Sequence, residues 1–427
     1  MLVEKISRCR VCHNERLKVV YEFGDIALTG HFPLPSEMDE VAPMTLIKCE
    51  ERHSDPNSSG CGLVQLMHNY DMEKLYGDNY GYRSSLNPSM ASHVKMIAQE
   101  AIKINGPVEK NQNILDIASN DGTLLSAYHD TDAHLFAVDP TIKKFDSYYS
   151  QVRGRLTKIS DFFGSDNANE ILGENKFQII TSVAMLYDLP QPNDFFRAIH
   201  ERLSKGGIWI TEQSYLPSMI QTNSFDTVCH EHLEYYNLSV IERLAKASNL
   251  EVRRASLNKS NGGSFRLCIT RSDNGTVQPD GSVDLLRRSE SNFNDNVEAH
   301  LESFVRSIKA TCDALSSYVN SRLERKEIIL GYGASTKGNT LLQMAKLDES
   351  KIQYILDIND YKNGRVTPGS RIPIRSSVIP EHTGCSFVVL PWHFRDFIIE
   401  KEEALLNAGS EFVFPLPVFD VVNRQPN

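Results

Sequence analysis

Residues 229–236 read Cys-His-Glu-His-Leu-Glu-Tyr-Tyr, so two imidazoles flank one carboxylate within three positions. An imidazole titrates near neutrality and can act as a general base, and a neighbouring carboxylate can orient it. His230, Glu231 and His232 are therefore candidate acid–base residues. A metal role fits less well, because His-Glu-His lacks the i,i+4 spacing of His-Glu-x-x-His and no third ligand is evident. A helix cap is the plain alternative.

A second constellation lies at residues 114–125, where an apolar run ends in Asp116 and passes through Ala118 and Asn120-Asp-Gly122 into helix-like periodicity. Strand, tight turn and helix form the turn at which an α/β sheet receives a nucleotide, and a glycine there admits a ligand closely. The phosphate-cradling motifs are absent. A strand-end acid followed by small polar residues suits a ligand with an amine, a carboxylate and hydroxyls. The next strand of such a unit should end in an acid for ribose hydroxyls, and Asp139-Pro140 supplies one. Asp161-Phe162-Phe163 stands where a third strand end would meet an adenine.

Cysteines mark a third group. Cys9-Arg-Val-Cys12 is a C-x-x-C knuckle, and Cys49 and Cys61 offer a second, wider pair. Four thiolates make a closed, tetrahedral structural zinc site. The polar stretch 50–60 reads as a surface loop inserted into the knuckle, and His13 or His53 are the alternative ligands. Tyr76, Tyr80 and Tyr82, followed by Arg83, sit among glycines and polar residues in a pattern that lines a polar cleft or an ordinary surface loop. Near the C-terminus, Gly331-Tyr-Gly333-Ala-Ser-Thr-Lys337-Gly-Asn339 follows an apolar run, and Asp357 ends the next one. Strand, G-x-G and a helix start bearing a lysine form a candidate pyrophosphate seat, although Thr336 replaces the third glycine of the dinucleotide fingerprint.

The elements that must position these groups follow from periodicity. Strands are predicted at 113–117, 134–138, 177–183 and 207–213, with helices between, and a helix from Pro88. That alternation implies α/β architecture with a parallel, doubly wound sheet. Asn261-Gly-Gly-Ser-Phe-Arg266 reads as a hairpin closing it. Residues 280–326 read as a charged helical connector, and a second α/β unit begins at 327 with further strands near 387 and 412. The expected division is a zinc-binding module at 1–75, a central Rossmann-like domain at 76–280 and a second Rossmann-like domain at 281–427. A net charge of −10 argues against nucleic-acid binding. No apolar run reaches membrane-spanning length and no signal-peptide core is seen, so a cytoplasmic protein away from the membrane is expected.

These motifs taken together resemble the three-part nucleotide-sugar C-methyltransferases, which methylate C3 of 4-keto deoxysugars. The resemblance runs through Cys61-Gly-Leu-Val-Gln65, Tyr82-Arg-Ser-Ser85, Asp116-Ile-x-x-Asn120-Asp-Gly122, His230-Glu-His232, Gly262-Gly-Ser-x-Arg266 and Gly331-Tyr-Gly-Ala-x-x-Lys337-Gly-Asn339-Thr340. It implies S-adenosylmethionine in the central domain, at Asp116, Ala118, Asn120, Gly122, Asp139, Pro140, Asp161 and Phe162. It implies a GDP- or dTDP-linked sugar held by Tyr80, Arg83, Gly333, Lys337, Asn339 and Asp357. It also implies His232 as base, with Glu231 and Tyr82 or Tyr187 assisting and His230 as the competing base. Structural zinc at the four cysteines and a monomer are expected. Cys229 stands where the family commonly has tyrosine, and Met185-Leu-Tyr-Asp188 where it often has a histidine. Methylation of another acceptor, including O-methylation, a nucleotide-dependent oxidoreductase using Gly331–Lys337, and an inactive zinc-scaffolded binding protein are the other classes compatible with these residues.

Overall fold

The computed structural model describes residues 3–50, 60–76, 80–129, 131–376 and 384–424. The polar insertion expected between Cys49 and Cys61, with His53, lies largely outside the described residues, as do residues 77–79. Near the N-terminus, β1 (Val3–Lys5) pairs with β5 (His68–Tyr70), while β2 (Leu17–Ala27), β3 (Val41–Cys49) and β4 (Val64–Leu66) form an antiparallel meander. Its fourth member comes from far along the chain, since β11 (Glu234–Tyr235) pairs with β4. The segment that follows His-Glu-His is thus a strand of the cysteine-bearing sheet.

The central sheet contains β6 (Asn113–Ile117), β7 (His134–Val138), β8 (Arg155–Ile159), β9 (Phe177–Val183), β10 (Leu203–Ser214), β12 (Leu250–Asn258) and β13 (Ser264–Arg271). Its order is β12-β13-β10-β9-β6-β7-β8. The five strands from β6 to β10 are parallel, and the β12–β13 hairpin closes the edge antiparallel to β10. Helix Pro88–Asn105 starts with proline in its first turn and Asn87 accepting from Ser89 N and Met90 N, so its start was legible in sequence. Its buried face, Val94, Ile97, Ala98 and Ala101, covers one side of this sheet.

After Gly122 the expected helix is only a 3-10 turn, Leu125–Tyr128. The Asp121 carboxylate draws the Thr123 N–H and hydroxyl to itself, and three residues of the preceding loop hold positive φ (Ala118 59°, Asn120 50°, Gly122 75°). These local bonds compete with helical ones.

The C-terminal sheet has the order β16 (Ile374–Ser376), β15 (Ile355–Asp357), β14 (Ile329–Tyr332), β17 (Ser386–Val389), β18 (Glu411–Phe414) and β19 (Asp420–Asn423), with β19 antiparallel. The 28-residue helix Val297–Glu324 is more than a connector. Leu301, Phe304, Ile308, Leu315 and Val319 are buried in one continuous core that also holds Phe23 and Met44 of the N-terminal sheet and Phe387 and Phe412 of the C-terminal sheet. Burying several large aliphatic and aromatic side chains on one helix contributes about 1.5–3 kcal/mol each, which is enough to fix both sheets to it. Among the described residues, no helix is long and apolar enough to cross a membrane.

Candidate active site

The four cysteines come together. Cys9, Cys12, Cys49 and Cys61 place their sulfurs within 4.8 Å of one another, with Cys9–Cys61 and Cys12–Cys49 at 3.5 Å and no disulfide. A tetrahedron with zinc–sulfur bonds near 2.3 Å has edges of about 3.8 Å, so the quartet fits a closed zinc site with no open coordination position. His13 is not part of the group. Arg10, inside the knuckle, is buried and donates to Gln65 Oε1 (3.1 Å), Leu66 O (2.7 Å), His68 O (2.9 Å) and Asn69 Oδ1 (2.7 Å). Its Nε lies 3.9 Å from Glu234 of β11. The metal knuckle therefore braces the strand that follows His232.

The two acids lie at the ends of β6 and β7, offset by two residues, since Asp116 registers with Ala137 and Asp139 follows Val138. Asp116 Oδ1 accepts from Thr181 Oγ1 at 2.6 Å, and burial pushes its carboxyl up to about 7. Asp139 accepts from Asn120 N (2.9 Å) and from the Thr141 amide and hydroxyl, which pull its raised value back down against the cost of burial. Two expectations at this loop change. An added Cβ at Gly122 would meet the Tyr149 ring at 2.9 Å, so the close approach there is made by the protein itself. Asn120 is also committed: its Oδ1 takes the Ser84 amide (3.0 Å) and its Nδ2 donates to Tyr82 O (3.1 Å), while Asp121 Oδ2 takes the Ser85 amide (2.9 Å). Ala118 contributes backbone, its N–H donating to Val138 O at 2.8 Å. Pro140 follows Asp139, and its carbonyl accepts from Ser160 Oγ at 3.3 Å. Asp161 takes the amide of Phe162 (2.7 Å), and both residues are half-buried beyond β8.

The segment of Tyr80, Tyr82 and Arg83 is tied to two parts of the molecule. Tyr80 O accepts from Lys144 Nζ (2.8 Å), and Gly81 O accepts from Asn359 Nδ2 (2.8 Å) just beyond Asp357. Tyr82 is 48% exposed, and the Arg83 guanidinium sits 3.9 Å above the Tyr148 ring. Asp357 accepts from the Asn359 amide (2.7 Å) with Lys362 at 4.0 Å.

The two imidazoles of His-Glu-His differ in burial. His230 is fully buried, donates from Nε2 to Ala42 O (3.4 Å) and packs edge-on against Tyr70 at 4.9 Å. Burial drives its pKa down to about 4. His232 is half-buried and donates from Nδ1 to Thr227 O (2.8 Å), with its ring 4.3 Å from that of Tyr187. Among the described residues its Nε2 has no hydrogen-bond partner. Burial, then the charge of Lys337, depress its pKa to about 3. Glu231 does not orient either imidazole. It accepts from Thr29 Oγ1 at 3.1 Å, and a Cβ on Gly30 would fall 1.7 Å from its Oε1. The orienting group for His232 is the Thr227 carbonyl.

Around this turn the fold gathers residues that no local pattern singled out. Asp226 accepts from Trp392 Nε1 (2.8 Å), and its Oδ1 is buried without a hydrogen bond, as is Oδ1 of Asp188. Burial raises the carboxyls of Asp188, Asp226 and Glu231 and the phenols of Tyr76, Tyr80 and Tyr187. The C-terminal helix Thr336–Met344 packs directly on the turn, Thr340 Oγ1 donating to Val228 O (2.9 Å). Lys337 points here too, its ammonium donating to Asn261 O at 3.1 Å. Asn339 is fully buried and donates to Thr29 O (2.7 Å), so it joins two parts of the fold and offers no surface to a ligand. Gly333, at φ 77°, faces Pro391, whose ring a Cβ would meet at 2.6 Å.

Three family models cover nearly all of this framework. A zinc binding domain matches residues 9–76, a methyltransferase domain residues 90–255, and a C-methyltransferase C-terminal domain residues 259–417. The C-methyltransferase NovU of Streptomyces niveus is 25% identical over 435 residues, covering 99% of each chain. Along its whole length the chain is similar to that C-methyltransferase. Among solved structures, an S-adenosylmethionine-dependent methyltransferase of Clostridium acetobutylicum aligns with 42% of this chain and 91% of its own, at 15% identity and TM-score 0.34. The N-methyltransferase NodS of Bradyrhizobium japonicum, complexed with S-adenosyl-L-homocysteine, aligns with 43% and 88%, at 13% identity and TM-score 0.34. The cysteine quartet lies within the match to the zinc binding domain, and Arg10, inside the knuckle, approaches Glu234 of β11, the strand that follows His232.

Proposed function

We propose that this C-methyltransferase transfers a methyl group from S-adenosylmethionine to C3 of a GDP- or dTDP-linked 4-keto-6-deoxy sugar through an enolate, with His232 as the base. The observation that carries the reading is the hydrogen bond from His232 Nδ1 to Thr227 O, which fixes the tautomer and leaves the Nε2 lone pair unbonded. Depression of its pKa keeps the ring neutral at physiological pH, as a base must be. His230, sealed beneath the N-terminal sheet, is the poorer candidate.

The donor site is the pair of strand-end acids. Asp139 would hold the ribose hydroxyls, with lone pairs left after its bonds to Asn120 and Thr141, and Asp116 would lie beneath the amino-acid end. The donor supplies an electrophilic sulfonium methyl when bound. Asn120 and Asp121 act indirectly, clamping the Ser84-Ser85 backbone over the loop. Tyr187, its ring tilted against that of His232 at 4.3 Å, would stand beside the reacting carbons and exclude water from the enolate. The division at 1–75, 76–280 and 281–427 would then set donor and acceptor between the two larger parts.

The test is wash-out of the C3 hydrogen in deuterated water, followed by NMR, with dTDP-4-keto-6-deoxyglucose and GDP-4-keto-6-deoxymannose as acceptors. Wild-type enzyme should exchange one of them and give a C-methylated product. His232→Asn should lose roughly 10²–10⁴ in rate while still binding the donor. An O-methylated product, or undiminished exchange by His232→Asn, would refute the assignment.

A further inference from the structure

We propose that Lys337 is a catalytic residue: its ammonium holds the ketone oxygen of the acceptor beside the carbon from which His232 removes the proton, and it is not a diphosphate ligand. This rests on the acceptor reading above. The sequence context, G-x-G and a helix start, points to phosphate, but the loop has other occupants. The Ser335 hydroxyl already takes the Gly338 amide (3.0 Å), Lys362 donates to the Ala334 carbonyl, and Pro391 closes over Gly333. Lys337 leaves that loop and reaches the His-Glu-His turn.

Among the described residues it has one hydrogen bond, to Asn261 O, and no ion pair, so two of its three N–H donors are unused by them. Such a cation needs an acceptor. Burial lowers the pKa of Lys337, and the nearby Asp226 and Cys229 oppose that shift; its own charge in turn disfavours the protonated forms of His232 and His393. Asp226 Oδ1 and Asp188 Oδ1, both buried without partners among the described residues, mark the same region as polar. A ketone oxygen that becomes an enolate oxygen supplies the missing acceptor.

The step balances. The C3–H electron pair forms the C3=C4 double bond as the C4=O π pair moves to oxygen, and the proton goes to His232 Nε2. The oxyanion faces Lys337. The C4=O bond then re-forms while the C3 pair bonds the methyl carbon and the S–CH₃ bond breaks, its electrons staying on sulfur. The proton on His232 passes to solvent. An ammonium in a low-dielectric site is pre-organised for this charge.

The His232 ring is met by the Tyr187 ring from the loop after β9 and by the charge of Lys337 from the C-terminal helix, while Asp226, Cys229 and Glu231 are the other titratable groups of its own segment. Removing Lys337 removes the one cation that disfavours its protonation. The experiment uses full-length Lys337→Met and Lys337→Gln with the two keto sugars above, read by C3–H exchange against pH, and calorimetry with dTDP and GDP. We expect exchange at saturating sugar to fall about 10²–10³-fold, nucleotide affinity to stay within twofold, and the acid limb of the residual exchange to move to higher pH. Nucleotide affinity lost more than tenfold would make Lys337 a diphosphate ligand and overturn the proposal. So would exchange within threefold of wild type. Either variant suffices if the other fails to fold. Wild-type enzyme that exchanges neither sugar removes the acceptor reading and this assignment with it, whereas wild-type exchange with undiminished variants removes this assignment alone.

Discussion

Stripping the zinc should damage catalysis even though the metal centre takes no part in the chemistry. The route is short. Cys61 lies three residues before β4, whose Leu66 amide donates to Leu233 O (2.8 Å), and the Leu233 amide donates to Tyr187 O (2.7 Å). Arg10, between the first two cysteines, adds its bonds to the β4–β5 backbone and its approach to Glu234. Two backbone bonds at about 0.5–1.5 kcal/mol each, with one or two charged ones at about 1.5–3 kcal/mol each, give roughly 2.5–9 kcal/mol that orders the residue after His232. Zinc-finger sites bind with about 10–16 kcal/mol apparent free energy, ample to hold this in place. Cys9→Ser, or chelation under reducing conditions, should therefore lower the melting temperature by several degrees and reduce C3–H exchange at least tenfold. Donor affinity by calorimetry should change less than threefold, because Asp116 and Asp139 lie on strands of the other sheet. Metal analysis finding no zinc, or zinc-free protein with unaltered melting and exchange, would refute the reasoning.

Asp139→Ala should weaken S-adenosylhomocysteine binding by about 1.5–3 kcal/mol, roughly 10- to 150-fold, through loss of a charge-assisted pair; calorimetry with unchanged affinity would show that the carboxylate serves only its Asn120 and Thr141 bonds. Gly30→Ala places a methyl group on the Glu231 carboxylate, which should break the Thr29 bond and cost about 1–3 kcal/mol in urea unfolding; unaltered stability would mean that Glu231 swings aside freely. The pH dependence has a definite sign. With the pKa of His232 depressed to about 3, the neutral base is present above that value and is lost only as pH falls through it. Exchange by wild-type enzyme should thus show no limb near the ordinary imidazole value of about 6.5; a limb there would place the base in a more solvated setting.

Much of this molecule is written in local pattern. The strands at 113–117, 134–138 and 177–183, the helix from Pro88 and the hairpin after Asn261 follow from apolar runs, a proline-led cap and a Gly-Gly turn, which act over a few residues. The cysteine quartet was equally legible, since thiols in paired spacing have few other uses. What spacing could not give is direction. Glu231 neighbours both histidines in sequence, yet a side chain binds what tertiary packing sets before it, and that is Thr29 from two hundred residues earlier. Lys337 sits in a motif that suggests phosphate, but helix Thr336–Met344 packs against the turn after Phe225 and turns the ammonium toward Asn261. Gly122 looked like room for a ligand until Tyr149 occupied it. Asp226 and Trp392, bonded to each other at 2.8 Å, carry no local signature because they are separated by most of the C-terminal half. Backbone conformation is chosen by neighbours along the chain, whereas the protonation and aim of a buried side chain are chosen by neighbours across it.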